Sequence, residues 1–521
     1  MRAFIQRHQD QILGVLSGFD RLRFRGTLQR LTTVGGMMGV LGRLRVLLKD
    51  FTSYAERLTQ QLRASIEAVG RQGGRPARYL AGYTNKEELV RGIQQQEGAA
   101  SNGLVAVLST LENCISYEVF RDRQRRELAL RRRPRKCLHY YVYFQDEVFG
   151  LSHVRVQTWF PFDVRVVLNG REWLARQLDA AGIEYQRWDN SFPWIEDFAR
   201  AQKLADRQPR IHWSHHLDRL LRRAAPEFFR LWKKLPQRPY WTSEESEWAT
   251  DIAFRSPEAL AELYPTLLRR GIETFNSRDV LRFLGHKVPL QGRLHPRLAK
   301  EVVTDLKDRP EGLRIKHRVG RNTLKMYDKF GQILRVETTI NEVRSLKVFR
   351  RKEGEPQSRR QWLRLRKAVA DMPRRAALSN SANGRYLEAL STVAPETPLR
   401  RVADKLCRPV QDEHGRRRRA LNPLSPEDGE LLSAVVRGEH ALTGFRNRDL
   451  RVVLYGNTTD KPERRRQAGR VTRKLSLLRV HGLIRRLPAT HRYVLTKQGQ
   501  TAIPAFLAAR NATLDQLTKV A

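Results

Sequence analysis

Tyr327 and Glu337 are the residues from which a reaction is most readily written, and they fall in LKMYDKFGQILRVETTI, residues Leu324 to Ile340. A tyrosine hydroxyl can attack phosphorus, and a carboxylate can hold Mg²⁺ or Mn²⁺ or act as a base. Lysine and arginine can stabilise charge on phosphoryl oxygens. Lys325, Lys329 and Arg335 supply such cations within the same stretch. The chemistry these types suit is phosphodiester transfer. The same set also suits binding of a nucleic-acid backbone without reaction, and cross-strand Lys–Glu and Arg–Glu pairs occur for ordinary reasons at about 0.2–1 kcal/mol each.

A second scheme uses acids alone. Asp20 follows the apolar run ILGVLSGF, and Glu112 closes VAVLSTLE. Acids at the ends of strands are the residue types that two-metal phosphodiester cleavage requires. The histidines of RIHWSHHLD, His212, His215 and His216, are of a type that ligates metals as well. His212 and His215 are three apart, a spacing that brings two rings to one side only on a helix. No nearby pair of acids completes a site, so they read as surface or helix-start residues.

The elements that must position these groups follow from periodicity. Leu324–Lys329 and Ile333–Ile340 read as two strands joined by FGQ, a turn containing glycine. Successive strand side chains point to opposite faces. Leu324, Met326, Leu334, Val336 and Ile340 are therefore expected in the core, with Lys325, Tyr327, Lys329, Arg335, Glu337 and Thr339 on the other side. Residues 1–170 alternate as strands over Gly18–Leu28, Gly103–Glu112, Cys137–Gln145 and Ser152–Leu168, with helical spacing over Lys49–Val69. A mixed sheet is the expectation.

Within that region RDRQRRELALRRRPRK, Arg121 to Lys136, is the densest basic run. Most such runs are solvated loops or helix faces. Here Arg131, Arg132 and Arg133 are expected to form an arm that contacts phosphates and positions a partner without reading its sequence. Residues 171–300 carry helical apolar spacing and most of the tryptophans: Trp173, Trp188, Trp194, Trp213, Trp232, Trp241 and Trp248. Core packing is their first reading, base stacking the second.

Composition bounds the partner. Across 521 residues, 98 Lys and Arg stand against 55 Asp and Glu, a formal charge of +43 spread over nearly every segment. Such an excess exceeds what solubility requires and points to a polyanion. A membrane binder is expected to gather its cations beside an apolar span or on one amphipathic helix, and no stretch approaches about 20 apolar residues. Nucleic acid is the expected partner, and no membrane. Cys114, Cys137 and Cys407 are few and widely spaced. They are read as small buried thiols, without disulfide or metal clip, in a reduced cytoplasm.

At the C-terminal end the linker DEHGRRRRALNPLSP precedes SPEDGELLSAVVRG, whose serine cap, first-turn proline and acids mark a helix start. GFRNRDLRVVLYG and ERRRQAGRVTRKLSLLRVHGLIRRL read as two further helices, and the chain then reads as two short strands around a turn. Helix, helix, basic helix, hairpin is the order of a winged helix-turn-helix. Val471, Leu475 and Leu478 face inward on the third helix, leaving Arg470, Arg473 and Lys474 for a duplex groove.

Two resemblances extend these readings. HRVGRNTLKMYDKFGQILRVETTI resembles the strand pair of plasmid and phage rolling-circle replication initiators and relaxases, touching Gly320, Lys325, Tyr327, Lys329, Arg335 and Glu337. It implies a palm-like fold that nicks single-stranded DNA through a tyrosine and a divalent metal. The His-x-His pair of that family has no counterpart here. The C-terminal segment resembles MarR-type winged helices, with GLIRRL…RYVLTKQG as the wing, which implies duplex binding.

The fold class expected is thus α+β and multidomain. A mixed α/β body spans 1–170, a helical region 171–300, a palm-like, hairpin-containing region 301–400, a basic linker 401–424 and a winged helix-turn-helix 425–521. The function expected is that of a nucleic-acid-binding protein of a mobile element or replicon that processes DNA with Tyr327, Glu337 and Mg²⁺ or Mn²⁺. Two alternatives stand beside it: a non-catalytic DNA- or RNA-binding protein, including the protein half of a ribonucleoprotein, and an RNase H-like nuclease or transposase using Asp20 and Glu112.

Overall fold

Alternation turns the N-terminal sequence into sheet: Leu22, Phe24 and Gly26 are buried, while Arg21, Arg23 and Arg25 between them are half-exposed. The computed structural model describes residues 1–513 apart from 83, 98–102, 233–237, 287, 289–301, 310–311, 392–398, 413–414, 438–439, 441–443 and 488–489. Its first strands are β1 (Ile12–Thr27), β2 (Arg78–Tyr79), β3 (Gly103–Asp122), β4 (Glu127–Asp146), β5 (Gly150–Gln157) and β6 (Val164–Asn169). β1, β3 and β4 answer to the strands read over Gly18–Leu28, Gly103–Glu112 and Cys137–Gln145, whereas Ser152–Leu168, read as one strand, is split into β5 and β6 by residues 158–163. There follow β7 (Tyr185–Trp188), β8 (Ser191–Ile195), β9 (Tyr240–Phe254), β10 (Val302–Lys307), β11 (Arg314–Val319), β12 (Asn322–Lys329), β13 (Ile333–Ile340), β14 (Lys347–Arg350) and β15 (Gln361–Arg364).

The chain divides into two units, each built from separated stretches. One comprises Leu13–Ala253 and Glu337–Asn380, the other Met1–Ile12, Phe254–Val336 and Ser381–Ala521. In the first, the strand order runs from the end of β13 through β9, β1, β6, β5, β4 and β3 to β2. Neighbours from β1 to β3 pair antiparallel, while β2 joins β3 in parallel, so the sheet is mixed. Its main core gathers Leu22, Phe24, Val154, Val166 and Trp213 with the helix Phe51–Gln72, which buries Phe51, Ala55, Leu58, Leu62 and Ile66 at helical spacing.

In the second unit β10, β11 and β12 pair antiparallel. The segment beyond Leu399 forms its own core, in which Leu431, Leu450, Val471, Leu475, Leu478 and Ile503 are buried. Its elements run helix (Pro426–Val435), helix (Asn447–Tyr455), helix (Lys461–Val480), a two-stranded hairpin (Ile484–Arg486, Tyr493–Leu495) and helix (Lys497–Asn511). Ser425 caps the first of these, accepting from the Asp428 amide, with proline at the first turn.

Three expectations are corrected. The region 171–300 is not uniformly helical: it holds β7, β8 and the 15-residue β9. Helical apolar spacing continues through His216–Leu235, but the helix spans Trp213–Ala224 and gives way to short 3-10 turns, 233–235 lying outside the described residues. Cys114 and Cys137 are joined as a disulfide, because β3 and β4 lie side by side there; only Cys407 is a free thiol. The cysteine argument for a reduced compartment loses its premise with that bond. Among the described residues no helix is long and apolar enough to cross a membrane.

Candidate active site

Asp20 on β1, Glu247 on β9 and Glu337 on β13 bring one carboxylate oxygen each to within 4.8 Å of one another. All three belong to the same unit. β9 lies between β13 and β1, so the backbones of the outer two strands are about 10 Å apart and their side chains close the gap from both sides. Asp20 and Glu337 are buried and Glu247 is half-buried.

The surroundings fix that convergence. β6 ends at Asn169, opposite Arg21. Asn169 then caps the helix Gly170–Ala180 by accepting from the Arg171 and Glu172 amides. A Cβ on Gly170 would collide with the carbonyl oxygen of Phe19, so only glycine lets this helix start against β1, one residue from Asp20. The turn between β7 and β8 sends Asn190 to Asp20, where its side-chain amide donates to the carboxylate. Ser17 and Thr250 share a hydroxyl hydrogen bond of 3.0 Å, and the buried pair Arg171–Asp251 spans 3.0 Å. Arg375, fully buried, donates to the Ser243 carbonyl, the Ser246 hydroxyl and the Ile340 carbonyl at 3.0, 3.2 and 3.4 Å. It thereby ties β9 to β13, the strands of Glu247 and Glu337, and burial pushes its guanidinium down to about 10.

An all-oxygen set of this kind favours Mg²⁺ or Mn²⁺ over zinc. Such ions hold oxygens at roughly 2.1 Å, which puts neighbouring ligands about 3 Å apart and opposite ones about 4.2 Å. Oxygens lying within 4.8 Å need only a small inward movement to meet that spacing.

The residues singled out by sequence separate here. Asp20 and Glu337, drawn from two different schemes, are brought together. Glu247 was missed, because SEESEW does not alternate cleanly and its neighbourhood was read as helical. Glu112 is not a partner of Asp20, since β3 lies four strands from β1, roughly 19 Å away. It accepts from the Tyr141 hydroxyl at 2.6 Å and from Arg155 at 2.7 Å. Burial alone would raise its pKa, but those hydrogen bonds and the Arg155 charge outweigh burial and hold it down to about 2.

Tyr327 and Lys325, on β12, are half-exposed, whereas Lys329 and Arg335 are buried. These four form no common solvent-facing surface, because β13 is buried on both faces from Ile333 to Ile340. Arg131, Arg132 and Arg133 are exposed on an antiparallel ribbon, neither loop nor helix. Arg131 and Arg133 each meet Glu118 at 3.0 Å, and Arg132 donates to the Thr32 carbonyl. Arg470 and Arg473 are exposed, while Lys474 pairs with Glu427 at 2.7 Å. His212 caps the helix Trp213–Ala224, accepting from the His215 amide. Trp173, Trp213, Trp232, Trp241 and Trp248 are core residues, and Trp188 is exposed.

No protein-family model, curated protein or solved structure matches this chain.

Proposed function

We propose that this chain binds nucleic acid and breaks phosphodiesters in it with Mg²⁺ or Mn²⁺ held by Asp20, Glu247 and Glu337, chemistry of the kind replicons and mobile elements use. The observation that carries this reading is the convergence of the three carboxylates on neighbouring strands, in a chain whose charge of +43 suits a polyanionic substrate. Held by Asp20, Glu247 and Glu337, such a cation would supply activation of a water and neutralisation of charge on the phosphoryl oxygens. The water oxygen bonds to phosphorus and its proton passes to solvent. One P–O ester bond breaks, and the leaving oxygen takes up a proton as a hydroxyl. Of the schemes read from sequence, the acid-based one is favoured, with Glu247 and Glu337 in the place of Glu112.

The C-terminal order of three helices, a hairpin and a helix, with Arg470 and Arg473 exposed on the third helix, supports a winged-helix reading in which that segment holds duplex. Cleavage of labelled single-stranded and duplex DNA in Mn²⁺ tests the catalytic half. Asp20→Asn, Glu247→Gln and Glu337→Gln are each expected to lower the rate by about 100-fold or more, on the scale of single-group losses at metal sites. Tyr327→Phe is expected to keep it. Loss of cleavage in Tyr327→Phe, with cleavage retained in the acid variants, would return the reaction to a tyrosine nucleophile.

A further inference from the structure

The hairpin of β14 and β15 brings an exposed aromatic pair, a run of cations and a cavity to one place. Phe349 stands directly opposite Trp362, with ring centroids 5.5 Å apart, and the two side chains are 55% and 52% exposed. Lys347 and Arg364 form the neighbouring pair on the same exposed face. The opposite face holds the hairpin in place, with Val348 packed on the small core of Ile340, Val343, Leu346 and Leu365. Nine Lys and Arg face two Glu between Lys347 and Lys367. Beside the aromatic pair lies a cavity of about 460 Å³, lined by Phe349, Arg350, Arg351, Lys352, Arg360 and Arg374, together with Arg366 and its ion-pair partner Glu353, the one acid of the lining.

An isolated exposed aromatic needs no explanation, but a facing pair set among cations marks a ligand surface. Base faces stack on aromatic rings whatever the sequence, and a cationic groove follows the backbone. Bases in a duplex are already stacked on one another, so the rings suit unpaired bases. An anionic membrane is the competing occupant. It fits less well, because two rings on a strand face supply little of the apolar area that interfacial binding uses. The hairpin also belongs to the unit of the carboxylate site: Ile340, three residues beyond Glu337, packs at its root.

We propose that the β14–β15 hairpin is a binding site for single-stranded nucleic acid, with bases stacked on Phe349 and Trp362 and phosphates taken by the arginine-lined cavity. This rests on the nucleic-acid half of the function proposed above and not on the catalytic half. The test is anisotropy of fluorescein-labelled (dT)20 and (rU)20 with the full chain in EDTA, where cleavage plays no part. Phe349→Ala with Trp362→Ala is expected to weaken binding about 10- to 100-fold, whereas Phe349→Trp with Trp362→Phe stays near wild type. Arg351→Gln with Arg360→Gln, both in the cavity lining, is expected to flatten the salt dependence, lowering the slope of log affinity on log salt by about 1.4. Binding of a blunt 20-base-pair duplex should not change in the aromatic variant.

A loss on either polymer supports the site and shows which sugar it accepts. Wild-type affinity for both polymers in the alanine variant overturns it, as does an equal loss on the duplex. So does a loss confined to phosphatidylserine vesicles. The acid variants, measured separately for cleavage, leave this outcome untouched.

Discussion

Two hairpins, both rich in Lys, Arg and aromatic residues, lie within 45 residues of one another and end in opposite environments. The hairpin Asn322–Ile340 has Lys329, Arg335 and Glu337 buried, at 2%, 0% and 3% exposure. The hairpin Lys347–Arg364 keeps its aromatic pair and most of its cations in solvent. An inner strand covered on both faces converts charged side chains into parts of the interior. A two-stranded ribbon anchored by one face leaves the same residue types available to a ligand. Alternation along a strand tells the two faces apart, but whether both are covered depends on which strands arrive beside it.

The sharpest way to break this contrast is to remove a cation from each hairpin. Arg335→Ala is expected to cost about 3–5 kcal/mol of stability, as removal of a buried charged group does. Arg360→Gln should stay within about 0.5 kcal/mol. Equal effects in urea denaturation would erase the distinction.

Acid sensitivity is the next largest effect. Burial, and then the charges of Arg21, Arg23, Arg155 and Lys86, push the His153 imidazole down to about 3. In the unfolded chain it titrates near 6.5, so the unfolded state takes up a proton first as pH falls. The stability present above about pH 6.5 is therefore lost progressively toward pH 3, by about 2–3 kcal/mol at pH 4.5. His153→Gln should flatten the profile by a similar amount between pH 7.5 and 4.5; an unchanged profile contradicts a half-buried imidazole held neutral by its surroundings.

Glu112→Gln gives a smaller effect, about 2 kcal/mol. It leaves Arg155, 9% exposed, without its carboxylate partner. Cleavage at saturating metal is expected to survive this change, which separates an acid that holds the sheet together from the acids proposed to hold a cation.

Much of the architecture was legible in the residues. β1, β3, β4, β5 and β6 declare themselves by alternation, and the helix after Ser425 by its cap, its proline and its first-turn acids. Asp20 and Glu337 were visible as acids on strands. Their meeting was not, because β1, β9 and β13 come from stretches more than 75 residues apart and pairing over such distances leaves no local signature. Glu247 carried a partial signal. Buried Trp241, Ser243, Ser246 and Trp248 interleave with half-exposed Glu244, Glu245 and Glu247, but the doubled glutamate breaks the period-two pattern that marks a strand. The β14–β15 hairpin escaped notice because its four-residue strands are short and its connection, polar apart from Gly354 and Pro356, is long.

Binding of Mn²⁺ to the intact chain, followed by the loss of free-ion EPR signal, tests the carboxylate site most directly. Glu247 is the ligand to change, since it is the half-buried member of the three and its replacement disturbs the interior least. Wild-type protein is expected to take up Mn²⁺ at a site that Glu247→Gln weakens by about 10-fold or more. Uptake identical in the two proteins would contradict a metal centre at Asp20, Glu247 and Glu337.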